Sequence, residues 1–127
     1  MCLLDEVQSW DASHIVCLSN SHLAKNNPLR SNDRLHAVCG VEYAAQAMAV
    51  HGALLSSKPV AAGYLVRLRN LKLNRSHLDD TVEKLTVNAK RLMGGPGGLV
   101  YEFMVSAHTE TVLSGRATVS LSPDVNE

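Results

Sequence analysis

The stretch AVCGVEYAAQAMAVHGALL, residues 37–55, decides the fold. Val38, Val41, Ala45, Met48, Ala49 and Gly52 recur at steps of three and four, and alanine is the best helix former, so residues 37 to about 56 read as one helix. That helix is apolar nearly all round. Most of its surface must therefore be covered, and its alanines let a sheet backbone approach closely. Into this setting the sequence places one carboxylate, Glu42, and one turn later one amide, Gln46. The run nearly reaches membrane-spanning length, but Glu42, Gln46 and His51 interrupt it, and a central carboxylate costs about 2.5–3.5 kcal/mol on insertion. It reads as a buried helix of a soluble protein.

The rest of the chain offers sheet to cover it. Leu85, Val87 and Ala89 alternate with Thr86, Asn88 and Lys90, and Ala117, Val119 and Leu121 alternate with Arg116, Thr118 and Ser120, so each run predicts a half-buried strand. Between them GGPGG (94–98) turns the chain into LVYEFMVS (99–106), and AHTET turns that strand into the last one, giving an antiparallel meander. In YLVRLRNLKL, Tyr64, Val66 and Leu68 share one phase and Leu71 and Leu73 the other, which predicts a long bent strand with a bulge at Asn70. Two shorter strands, CLLDEV and HIVCLS, precede the helix, separated by the turn WDAS. Two strands, a central helix and four antiparallel strands make an α+β roll. Residues 20–36 are a polar connection with neither period, and structureless loops of this length in compact domains are functional or disordered.

At 127 residues with 46% hydrophobic side chains, the chain has material for one core and a single domain, 1–127. Twelve basic residues balance twelve acidic ones, which provides no electrostatic footprint for nucleic acid and no polybasic anchor for a membrane. Cys2, Cys17 and Cys39 are odd in number and unpatterned, which suits core thiols in a reducing cytosol rather than a disulfide framework. MCLLDEV reaches Asp5 and Glu6 too soon for a secretory leader, so the expected location is cytoplasmic. None of the six histidines pairs at metal-ligand spacing, and GGPGG lacks the lysine of a phosphate loop, so neither metal nor cofactor is expected.

A strand beginning LLDEV, a polar loop containing His, and a small-residue helix bearing an acid with Gln one turn later resemble the hotdog-fold 3-hydroxyacyl-acyl-carrier-protein dehydratases. Through NPLR, CGVEYAAQAMAVHGAL, GYL and SGRATVSL the chain is similar to a divergent branch of that family, encoded in bacterial aryl polyene pigment clusters. The resemblance covers nearly the whole chain. It implies a hotdog fold, an antiparallel sheet of about six strands wrapped around one long helix. It also implies a dimer, homomeric or with another hotdog dehydratase, whose substrate arrives on an acyl carrier protein. Glu42 falls on the position of the catalytic acid and Gln46 on the Gln that follows it. The family's base lies about fourteen residues before the acid, where this chain has Pro28; His22 lies twenty before it. His36 stands where the family often has Pro. Ala37 stands where it has the Gly whose backbone amide binds the thioester oxygen.

Dehydration needs a base at C2, a proton for the departing hydroxyl, and donors for charge on the carbonyl oxygen. Glu42 on an apolar helix has its ionised form disfavoured by desolvation and so suits the acid, with Gln46 orienting it. The N–H groups of residues 37–40 suit the carbonyl oxygen. His22 opens the loop as candidate base, with an exposed loop histidine as the alternative; His36 reads as a second candidate base, as a residue lining the substrate pocket, or as a helix-entry residue. Cys39, in the first helical turn, reads as a nucleophile or a buried structural thiol. Without the resemblance, Glu42 and Gln46 read equally as partners of buried backbone groups or as an interface pair. Arg67, Arg69 and Lys72 can attract an acidic carrier protein or simply form a solvated face. Three functions follow: a dehydratase, a non-catalytic subunit that partners a competent dehydratase, and a thioesterase that uses Glu42 to activate water.

Overall fold

The computed structural model describes residues 3–56, 62–95 and 98–122; the side chains of residues 56, 62–66, 93–95 and 121–122 lie outside that description, as do Cys2 and the middle of GGPGG. Strands β1 (Glu6–Trp10) and β2 (His14–Ser19) lead through the 20–36 connection to a 3-10 turn (Ala37–Cys39) and helix α1 (Gly40–Ser56). Strands β3 (Ala62–Leu73), β4 (Leu85–Gly95), β5 (Gly98–Ala107) and β6 (Glu110–Ser122) follow. All pairings are antiparallel, in the order β1-β2-β4-β5-β6-β3, so β4-β5-β6 is the expected meander and β3 closes one edge against β6.

Alternation sets the two faces of the sheet. Ile15, Cys17, Leu85, Val87, Ala89, Tyr101, Phe103, Val105, Leu113 and Ala117 point inward and are buried, and α1 lays Tyr43, Ala44, Ala47 and Met48 on them. Small side chains on the helix permit this close seat. At its entry a Cβ on Gly40 would collide with the Leu113 side chain. This is the layout that the hotdog resemblance implied.

Asn70 sits at φ 55°, where the β3–β6 register shifts between Arg69 and Lys72, so the predicted bulge is present. The first strand differs from expectation. It starts at Glu6, because Leu3 is occupied elsewhere: its N–H donates to Gln46 Oε1 at 2.7 Å, and its carbonyl accepts from Ser19 Oγ (2.5 Å) and Ser21 Oγ (2.7 Å). Side-chain hydrogen bonds to the backbone compete with a sheet ladder in this way.

The 20–36 connection is folded. Arg30 binds the carbonyls of Ala24 (2.8 Å), His22 (3.2 Å) and Asp33 (3.0 Å) and pairs with Asp79 at 3.5 Å. Asn32 and Asp33, at φ 52° and 65°, turn the chain between the bridged residues Ser31 and Arg34, a conformation these two residue types tolerate best after glycine.

Candidate active site

Glu42 is in the first turn of α1 and exposed. With Gln46, Leu3, Pro28 and Leu29 it lines a cavity of about 310 Å³ between helix, N-terminal segment and loop. The helix face around it is uncovered: Val38 is 49% exposed and Leu54 38%, Ala53 is exposed, and Val41, Ala45, Ala49 and Val50 are half-buried. The described residues therefore do not supply the burial expected around this carboxyl. An exposed apolar face of this kind marks an interaction surface.

The loop wall of the cavity is held by a network that sequence reading missed. Asn27, buried, accepts the Leu29 N–H through Oδ1 at 2.9 Å and donates through Nδ2 to Ser21 O (2.9 Å) and Tyr43 Oη (3.1 Å). Ser21 Oγ lies 2.7 Å from the same Tyr43 hydroxyl, and burial pushes the Tyr43 phenol up. Tyr43 follows Glu42 directly, so the loop is tied to the helix beside the acid. Asn27 two residues before the Leu29 N–H was the available signal, as Asn commonly bonds its own backbone two residues on. Gln46 is found as the partner of a backbone group, since its Oε1 accepts the Leu3 N–H.

His22 neither faces solvent nor lines this cavity. It is fully buried in a 3-10 turn (Ser21–Leu23), its Nε2–H donates to Thr81 O at 3.2 Å, and Nδ1 makes no well-formed hydrogen bond among the described residues. Burial lowers its pKa from the ordinary value, outweighing the carbonyls that favour the proton. His36 is exposed, and its ring packs on His77 at 4.8 Å between centroids while the two backbones form a β-bridge.

The Ala37 N–H, the expected oxyanion donor, donates to Ser76 O at 2.8 Å. The Cys39 N–H is bonded to His36 O and the Gly40 N–H to the Ala37 and Val38 carbonyls. Of the four expected donors, Val38 N–H alone has no partner among the described residues. Cys39 is half-buried with Sγ 3.8 Å from Leu29 O, and burial pushes its thiol up, which opposes a nucleophilic thiolate.

His51, expected at a polar edge, is fully buried. Arg91 Nη2 donates to Tyr101 Oη (3.0 Å), Tyr101 Oη donates to His51 Nδ1 (2.6 Å), and His51 Nε2–H donates to Asp11 O (2.8 Å). That chain of bonds fixes the tautomer and satisfies each member. Among the described residues no three metal-ligating side chains gather, and no helix is long and apolar enough to cross a membrane.

A family model described as ApeP-like, ApeP dehydratase, matches residues 1–127. Among solved structures, the Dehydratase Heterocomplex ApeI:P from Xenorhabdus doucetiae is similar with a TM-score of 0.85 at 17% identity, over 94% of this chain and 82% of that one. A substituted form of the thioesterase SAV0944 from Staphylococcus aureus subsp. aureus Mu50 is similar at TM-score 0.68 and 15% identity, over 93% of each chain. The thioesterase HI1161 from Haemophilus influenzae is similar at TM-score 0.68 and 14% identity, over 96% of this chain and 80% of that one. No curated protein sequence matches the chain. At these identities the structures show the fold, which is the hotdog fold.

Proposed function

We propose, for a chain that belongs to the ApeP-like dehydratase family, that it works as one half of a two-subunit dehydratase for 3-hydroxyacyl thioesters. Glu42 is the acid, and a second, non-identical hotdog subunit brings the base. One observation carries this reading: Glu42 opens onto an uncovered apolar helix face beside a cavity, while His22 is buried against Thr81 and does not line that cavity. A second copy of this chain would bring a His22 equally buried, so self-association does not complete the site.

In the reaction the partner's base removes the C2 proton, the electron pair forms the C2–C3 double bond, and the C3–O bond breaks as Glu42 protonates the hydroxyl, which leaves as water. The partner's surface covers Glu42 and excludes water from the site. Val38 N–H, at the positive end of α1, takes the place of Ala37 as donor to the thioester oxygen. Leu3, Pro28 and Leu29 give the acyl chain an apolar wall. The substrate comes on an acyl carrier protein, in fatty acid or aryl polyene type synthesis in the cytoplasm; the family supports this reading.

The test is turnover of a 3-hydroxyacyl-carrier-protein thioester by the purified chain alone and with a co-expressed hotdog dehydratase subunit. The proposal expects the enoyl product from the mixture alone, and loss of that product with Glu42→Gln. Release of free thiol instead would identify a thioesterase, and full turnover by the chain alone would remove the need for a partner.

A further inference from the structure

Strand β3 is an edge of the sheet, paired among the described residues with β6 alone, and its 12 residues present an open row of backbone donors and acceptors. Such an edge is a template for another strand. Its charges are of one sign: Arg67, Arg69 and Lys72, with no acid anywhere from Ala62 to Leu73. The Asn70 bulge puts the three on one face. Without it Lys72 would fall in the opposite phase from Arg67 and Arg69. With it, they stand beside Thr118, Arg116 and Ser114, the outward positions of β6. None of the three makes an ion pair among the described residues. Arg69 even faces a like charge, Arg116, whose guanidinium is engaged with Glu102 at 3.3 Å. In a chain of zero net charge this is a local excess. On the other face of the same edge Leu68 is 37% and Leu73 47% exposed.

We infer that the β3 edge selects its partner by charge: it disfavours a second copy of this chain and accepts a hotdog subunit whose matching edge strand is acidic. The inference rests on the two-subunit reading above and adds what the partner must carry. In a two-fold antiparallel pair the axis passes between two copies of one residue. For an axis at any residue from 67 to 72, at least one of the three cations then lies opposite or diagonal to a cation of the other copy. Like charges at those positions are destabilising, and diagonal neighbours remain within reach of long side chains. An acidic strand turns the same contacts favourable, and Leu68 and Leu73 add apolar area under either partner. Cations on an edge can also serve only to block unwanted pairing, and the experiment separates the two roles.

The test needs only this chain. The triple variant Arg67→Glu/Arg69→Glu/Lys72→Glu presents an acidic edge, and it is mixed with the wild-type chain, one of them isotope-labelled, for native mass spectrometry and sedimentation at low and high salt. Circular dichroism confirms that the variant is folded. At about 50 mM salt the mixed dimer is expected to form at least about tenfold more tightly than either chain pairs with itself, with the gap closing at about 500 mM, where screening is short-ranged. The neutral variant Arg67→Gln/Arg69→Gln/Lys72→Gln is expected to self-associate more than wild type. A mixed dimer no tighter than the two self-pairs, or a wild-type self-pair as tight as the neutral variant's, overturns the inference. These readouts are of assembly, not turnover. Failure here beside full activation by a partner subunit would remove charge selection alone, whereas mixed dimers beside a site that no partner activates would remove the catalytic reading.

Discussion

Ser21 Oγ and Tyr43 Oη stand 2.7 Å apart, and Asn27 Nδ2 donates to the same phenol at 3.1 Å, so one hydroxyl ties the folded loop to the helix residue next to Glu42. Tyr43→Phe removes the hydroxyl and takes one partner from the buried Asn27 amide and the half-buried Ser21 hydroxyl. The expected loss is about 1–3 kcal/mol in urea unfolding. Because Asn27 also fixes the Leu29 N–H, the partnered enzyme should show a raised KM with a smaller change in kcat, as the cavity wall loosens. Stability equal to wild type would mean that water or a rotated side chain replaces the bond.

The entry of α1 has no room beside β6, where a Cβ on Gly40 meets Leu113. Gly40→Ala should therefore destabilise by about 1–3 kcal/mol through overpacking, despite alanine's better helix propensity. Adding Leu113→Val, which trims the facing side chain, should recover part of the loss. A double-mutant cycle with no coupling would show that the two do not touch.

Buried His22 and His51 both have pKa values lowered from the ordinary histidine value, in each case first by desolvation. For His51 the Asp11 carbonyl opposes that shift and the Arg91 charge adds to it. A lowered folded-state value means that the unfolded chain binds more protons, so stability rises with pH through this window. It should be fully held above about pH 6.5 and fall as the pH drops below it, toward the folded-state values. Urea midpoints between pH 7.5 and 5 check the sign, and His51→Gln should flatten part of the slope. A midpoint that rises on acidification contradicts the assignment.

The parts of the fold that were legible from sequence were those written as a period. Ala-rich spacing at three and four gave α1, and the alternation of Leu85, Val87 and Ala89 gave β4 and its inward face. The phase change between Leu68 and Leu71 located a bulge that Asn70 occupies at positive φ. What stayed hidden depends on side chains that meet far apart in the chain. Arg30 and Asp79, 49 positions apart, help to fold a connection that has no period of its own. The capture of Leu3 by Gln46, 43 positions away, delays the first strand. Glu42 and Gln46 were visible as polar residues in an apolar helix. The occupied N–H of Ala37 and the burial of His22 were not, because both follow from the segment 76–81 folding back over the loop.

The most direct test compares two substitutions in the two-subunit assembly, by the rate of water loss from a 3-hydroxyacyl-carrier-protein thioester. His22→Gln keeps an N–H for Thr81 O, and the account predicts a rate within a few-fold of wild type. Glu42→Gln removes the acid and should lower the rate by roughly 10²-fold or more, the usual reach of a general acid. A rate with His22→Gln as low as with Glu42→Gln, in a chain that remains folded and assembled, would contradict the claim that the base comes from the other subunit.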